Sequence, residues 1–153
     1  MDAVDCKILN FLQVSGRMPA SAIAREIGMA VSAVGERMRK MEERGIICGY
    51  EARVNGDALQ LSLTAFIYVR TDEPAASEET AAELTQIPQV LEVHNIAGED
   101  CYLIKVRVKD APALSQLLRD PIGKIKTVIS TRSTIVMETY KETSRLPLPT
   151  PDK

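Results

Sequence analysis

Apolar positions change period along the chain, and the change divides it in two. Over the first fifty residues they recur at helical spacing. Val4, Ile8, Phe11 and Leu12 form one stripe and predict a first helix ending near Gly16. The stretch Ala20 to Ile47 predicts two short helices joined by a tight turn. Ile23 and Ile27 supply the inward face of its first helix, and Val31, Val34, Met38 and Met41 that of its second. ICGYEARVN then alternates and predicts a short strand or wing. Beyond it the period changes to that of β-structure. Strands are expected over Ser62–Thr71, Val90–Ile96, Tyr102–Val108 and Ile125–Tyr140, with helices over Ala75–Gln86 and Ala111–Arg119, each stopped by a proline, Pro88 or Pro121.

The order β-α-β-β-α-β is that of the split, ferredoxin-like arrangement, so the fold class is α+β: an N-terminal winged helix-turn-helix followed by a ferredoxin-like domain. Such a domain has a four-stranded antiparallel sheet with helices on one face only. Leu63, Ala65, Ile67 and Val69 form one row of the first strand, and Phe66 and Tyr68 the other. The uncovered face needs a cover, and a second copy of the sheet is the simplest one. The organisation expected is residues 1–50 as the helix-turn-helix, 51–60 as a linker with turn material at Asn55-Gly56-Asp57, 61–142 as the second domain, and 143–153 as an extended tail. That tail ends in LPLPTPDK and should behave as a loose polyproline-like end.

Ala24, Gly28 and Val34 fall at relative positions 0, +4 and +10. A helix-turn-helix needs a small residue where its helices touch, a glycine where the turn takes positive φ, and an apolar anchor in the second helix. The solvent side of that second helix carries Ser32, Glu36, Arg39, Lys40 and Glu43, with Arg37 beside them. A helix lying in a DNA major groove would bring Ser32, Ala33 and Glu36 to base edges and Arg37, Arg39 and Lys40 to phosphates. An ordinary helical hairpin with a solvated basic face shows the same spacings. Net charge argues mildly against nucleic acid: the chain is −2 overall, and residues 1–57 hold eight basic and eight acidic side chains. A DNA binder of this composition must concentrate its positive groups locally and gain phosphate contacts by oligomerising.

No run approaches the roughly 18 apolar residues of a membrane helix, and MDAVDCKILNFL lacks the basic region of a secretory signal. Cys6, Cys48 and Cys101 are odd in number and widely spaced, which suggests reduced, buried thiols in a cytoplasmic protein. An enzyme is not expected: the single histidine, His94, lies in a strand with no nucleophile or metal spacing beside it, and catalytic, metal and cofactor residues are all assigned as none.

Four ordered segments carry a resemblance to a known family: VDCKILNFLQVSGR, AIAREIGMAVSAVGERMRKMEERGIICGY, AGEDCYLIKV and STRSTIVMETYK. Over about residues 2–141 the chain resembles the Lrp/AsnC, or feast-famine, family of prokaryotic transcription regulators. The resemblance implies double-stranded DNA as partner, an effector-binding domain of the kind called RAM, an amino acid or related small molecule as effector, and homodimers that assemble further into octamers. It places the effector near the loop Gly98, Glu99, Asp100 and Cys101, with hydroxyls from Thr131, Ser133 and Thr134; those three also read as ordinary sheet residues. The chain departs from the family pattern with Ala30 and Val31 where Ser-Pro is common, Glu36 where a basic residue is common, and Cys101 where an acid precedes the loop aromatic. An architectural DNA-binding protein without effector, and a small-molecule sensor with a non-functional DNA-binding half, remain as alternatives.

Overall fold

Asp2 begins the first helix, α1 (Ala3–Val14), with a reciprocal capping box: its carboxylate accepts from the backbone N–H of Val4 and Asp5, and Asp5 accepts from the N–H of Asp2. Helices α2 (Ala20–Ile27) and α3 (Val31–Glu43) follow. Gly28 sits between them at φ 70°, ψ 36°, a left-handed conformation that glycine takes without steric cost. Ile8, Ile23 and Val34 are wholly buried and meet Leu9, Leu12, Ala24 and Met41 in one core. Val31, expected in this inward stripe, is half exposed, because it opens α3 and the turn before it faces solvent. The computed structural model describes residues 1–74 and 77–149. It comprises two compact units, one of Met1–Arg53 with the chain from Lys141 onward, the other of Val54–Tyr140.

The expected wing does not form within the chain. Residues 46–55 are irregular and have no ladder partner among the described residues, and an isolated alternating segment has nothing to hydrogen-bond. Tyr50 instead donates its hydroxyl to Glu42 (2.9 Å).

The second unit holds a four-stranded antiparallel sheet in the order β2-β3-β1-β4, formed by β1 (Leu63–Thr71), β2 (Val90–Asn95), β3 (Tyr102–Val108) and β4 (Val128–Ile135). Helices α4 (Glu79–Thr85) and α5 (Ala111–Leu117) cover one face. Ala75 and Ala76, where the first of these helices was expected to begin, lie outside the described residues. Ala65, Ile67 and Val69 of β1 and Ile104 and Val106 of β3 pack with Leu84, Leu114 and Ile122 on the covered side. Burial of each large apolar side chain there contributes about 1.5–3 kcal/mol. The last strand stops at Ile135, short of the Tyr140 expected, because β1 starts at Leu63: Val136 donates to the Thr64 carbonyl (2.9 Å), and the ladder goes no further among the described residues. It starts at Val128 because Ile125 is taken into a turn, accepting from Val128 and donating to Ile122.

The open face is less apolar than the sequence rows suggested. By strand register it carries Phe66, Tyr68 and Leu103, but also Glu92, Lys105, Arg132 and Thr134. Lys105 lies 3.3 Å from Glu92 across two strands. The cysteines also divide: Cys6 is buried and Cys101 half-buried, but Cys48 is exposed, because its neighbours Ile46 and Ile47 take the places against the helical core.

A polar network ties the end of β1 to α4. Tyr102 donates its hydroxyl to Glu73 (2.6 Å), Glu73 accepts from the Thr80 backbone (3.1 Å), and the Thr80 and Thr127 hydroxyls are 2.6 Å apart. Desolvation raises the Glu73 pKa, but the hydrogen bonds from Tyr102, Thr80 and Ser77 together outweigh it and hold the carboxyl below its usual range. Burial first, then the Glu73 contact, pushes the Tyr102 phenol up to about 12. A carboxyl depressed in the folded state stabilises above its unfolded pKa and loses that contribution as pH falls through the folded value. Tyr102→Phe is therefore expected to cost about 1–2 kcal/mol at pH 7 and less at pH 3. Denaturant melts at the two pH values check this, and an equal cost at both removes Glu73 from the explanation.

Candidate functional site

The exposed face of α3 is built from ion pairs along the helix. Arg39 bonds Glu36 through two nitrogens (3.0 and 2.8 Å) and also reaches Glu43, and Lys40 lies 3.4 Å from Glu36. These residues are three and four apart, the spacing at which helix neighbours meet. The Arg39 hydrogen bond, against a small desolvation penalty, holds the Glu36 carboxyl down at about 2, and Glu36 in turn raises Arg39. Glu36, Arg39, Lys40 and Glu43 together carry no net charge, so a phosphate meeting this face must displace carboxylates from Arg39 and Lys40.

Arg37 occupies a different position from the one expected. Its guanidinium is 2.7 Å from both Asp2 and Asp5, the two acids of the α1 capping box. Backbone donation from Asp5, then Arg37 itself, lowers the Asp2 pKa. Arg37 thus joins the N-terminus of α1 to the middle of α3, and a phosphate reaching it would compete with Asp2 and Asp5. No sequence period could show this, since the residues in contact are more than thirty positions apart. Ser32 and Ala33 stand in the first turn of α3, Ser32 exposed and Ala33 half exposed. The helix start at Ala30 has no side-chain cap, which leaves backbone N–H groups of the first turn open to an acceptor.

The loop between β2 and β3 is closed at its base by the Ile96 N–H donating to the Cys101 carbonyl (3.0 Å), and Cys101 donates its own N–H to Val69 (3.0 Å). Gly98 at the tip has φ 143°, a region that side chains rarely adopt, and Glu99 beside it is exposed. Asp100 is half-buried and 3.0 Å from Arg132 of β4, whose guanidinium stacks 4.1 Å above the Tyr68 ring. Val69 stands opposite Thr131 in the ladder. Ser133 shares the strand side of Thr131, while Thr134 pairs with Phe66 on the opposite side, with Arg132. The three hydroxyls therefore do not converge, because strand side chains alternate. Arg132 is the residue that sequence reasoning missed. Its signal was a lone basic side chain in a run of Ser and Thr, two strand positions from Thr134.

His94 is exposed and 3.3 Å from Glu92, and no group of three or more His, Cys, Asp or Glu side chains is gathered as a metal site among the described residues. No helix among them is long and apolar enough to cross a membrane.

Comparison with known proteins agrees with this layout. Residues 1–42 match the model of the AsnC-type helix-turn-helix domain, and residues 64–146 that of the Lrp/AsnC ligand binding domain. The chain is 36% identical over 148 residues to the HTH-type transcriptional regulator FL11 of Pyrococcus horikoshii, covering 97% of each chain. Among solved structures it is similar to a transcriptional regulator of Neisseria meningitidis in complex with L-Met, at 30% identity, 96% of each chain and a TM-score of 0.90. It is likewise similar to a feast or famine regulatory protein of M. tuberculosis complexed with L-methionine, at 36% identity, 97% of this chain, 99% of that chain and a TM-score of 0.88. The chain belongs to the Lrp/AsnC family of transcriptional regulators.

Proposed function

We propose that this protein is a sequence-specific, DNA-binding transcription regulator, acting in the cytoplasm, whose assembly or DNA binding responds to an amino acid held at the loop Gly98–Cys101. Ser32, Ala33 and Glu36 read base edges, and Arg39 and Lys40 serve phosphates. The open sheet face, with its aromatic pair Phe66 and Tyr68, supports pairing with a second copy, and dimers so formed would assemble into octamers.

The observation that carries the effector reading is the Asp100–Arg132 pair at 3.0 Å beside Gly98. A zwitterionic amino acid brings both partners for it: its carboxylate takes the Arg132 guanidinium in a charge-assisted pair, and its ammonium takes the carboxylate that Arg132 releases. The methionine held by the two similar regulators is of this class. Glu99 adds a second carboxylate at the tip, and Thr134 a hydroxyl on the Arg132 side of β4. The test is a thermal-shift screen of the twenty amino acids. At a concentration of about 100 times Kd, a ligand adds about 2.7 kcal/mol of stability, so the binder raises the midpoint by several degrees. Its methyl ester and its N-acetyl derivative should give no shift. If no amino acid shifts the midpoint at millimolar concentration, or if both blocked forms shift it equally, the zwitterion reading is wrong.

A further inference from the structure

The described part of the proline-rich tail is not loose. Leu146 donates its N–H to the Gln13 side-chain oxygen (2.6 Å) and accepts from the Gln13 amide nitrogen through its carbonyl (3.1 Å). Leu148 packs against the α1–α3 core, and the Pro149 carbonyl accepts from the Cys6 thiol (3.7 Å). Cys6 and Gln13 are two helical turns apart on one side of α1, a rise of about 10 Å. Leu146 to Pro149 spans about 9 Å in extended, polyproline-like form. The spacings match, and the tail runs antiparallel to α1. Gln13 reads only main-chain atoms, while Leu148 supplies the apolar anchor. Pro147 and Pro149 bring no N–H to the helix surface that would need a partner, and their fixed φ lowers the entropy lost on docking. Nearer the chain crossing, the Arg53 guanidinium donates to the Glu142 carbonyl (3.2 Å), which joins the outgoing and returning chain.

We infer that α1 carries a binding site for an extended Leu-Pro-Leu-Pro peptide, and that its ligand is this chain's own C-terminal segment, Leu146–Pro149. The segment acts as a strap on the DNA-binding unit. Its site lies on the helix whose capping acids, Asp2 and Asp5, hold Arg37 of α3. The strap follows β4 in the chain after residues 136–145. Strap release therefore loosens α1 and, through Arg37, the presentation of α3. This consequence for DNA rests on the DNA-binding reading of α3; the peptide site does not.

The test uses hydrogen exchange on the full-length protein. Gln13→Ala and Leu148→Asp should each raise amide exchange in α1 by about tenfold or more, while amides of β1 and β3 are unchanged. DNA affinity should fall several-fold in the same variants. A chain ending at Glu142 should bind a fluorescent peptide of residues 143–153, and the peptide should restore α1 protection. Unlabelled peptide added to the wild type should not change it. Should the shortened chain not fold, the two full-length variants decide alone. Unchanged α1 exchange in Leu148→Asp overturns the inference. Increased exchange with unchanged DNA affinity keeps the strap and removes its link to α3.

Discussion

Gly98→Val is expected to abolish the response to effector while leaving DNA binding intact. Gly98 stands at φ 143° with open space where a Cβ would go, so the damage comes from the backbone and not from a collision. A β-branched residue cannot hold that φ without strain of about 1–3 kcal/mol, and the loop must take another course between Ile96 and Cys101. Asp100 then leaves its place opposite Arg132, and the pair that a zwitterion would exchange with is lost. The altered backbone lies wholly within the Val54–Tyr140 unit, and the Ile8–Ile23–Val34 core of the other unit does not depend on it. Coupling between ligand and DNA in such systems is about 5–150-fold in affinity. DNA titrations with and without the ligand should show that factor collapse to one in the variant. A full ligand response in Gly98→Val would move the effector site elsewhere in the chain.

The second large effect concerns the charge balance on α3. Arg39→Ala should weaken binding to every DNA sequence by at least tenfold at low salt and flatten the salt slope by about one unit, the signature of a lost phosphate contact. The loss should exceed that of a free surface arginine, since Glu36 and Glu43 are left facing the phosphates without their partner. Glu36→Gln removes one of these charges without changing shape. With its pKa near 2, Glu36 is ionised at any working pH, so lowering the pH to 5 cannot substitute for the mutation. If Glu36 reads a base, Glu36→Gln binds random DNA more tightly and its operator less tightly. Equal gains on both would leave Glu36 as a repulsive charge only. Wild-type protein whose binding to DNA shows no salt dependence would favour the sensor whose DNA-binding half does not function.

Much of this layout was open to reading from the chain alone. The shift from 3.6 to 2 residues per period located α1 to α3 and the β-α-β-β-α-β order, because those periods follow from which face each element must bury. Gly28 was legible because only the turn between two close helices requires positive φ there. The four family-like segments pointed to the Lrp/AsnC family, to which the chain belongs.

What tertiary structure decided was every feature set by residues distant in sequence. The end of β4 at Ile135 was settled by where β1 begins. The absence of an internal wing followed from the want of a pairing strand. Arg37 was paired with two acids at the start of α1, and Arg132 was brought to Asp100 by the sheet register. The tail's docking on Gln13 needed a helix about 130 positions earlier in the chain. Side-chain period records which way a residue faces, but hydrogen bonds and ion pairs depend on which distant atoms arrive within about 3 Å, and only the folded chain supplies those.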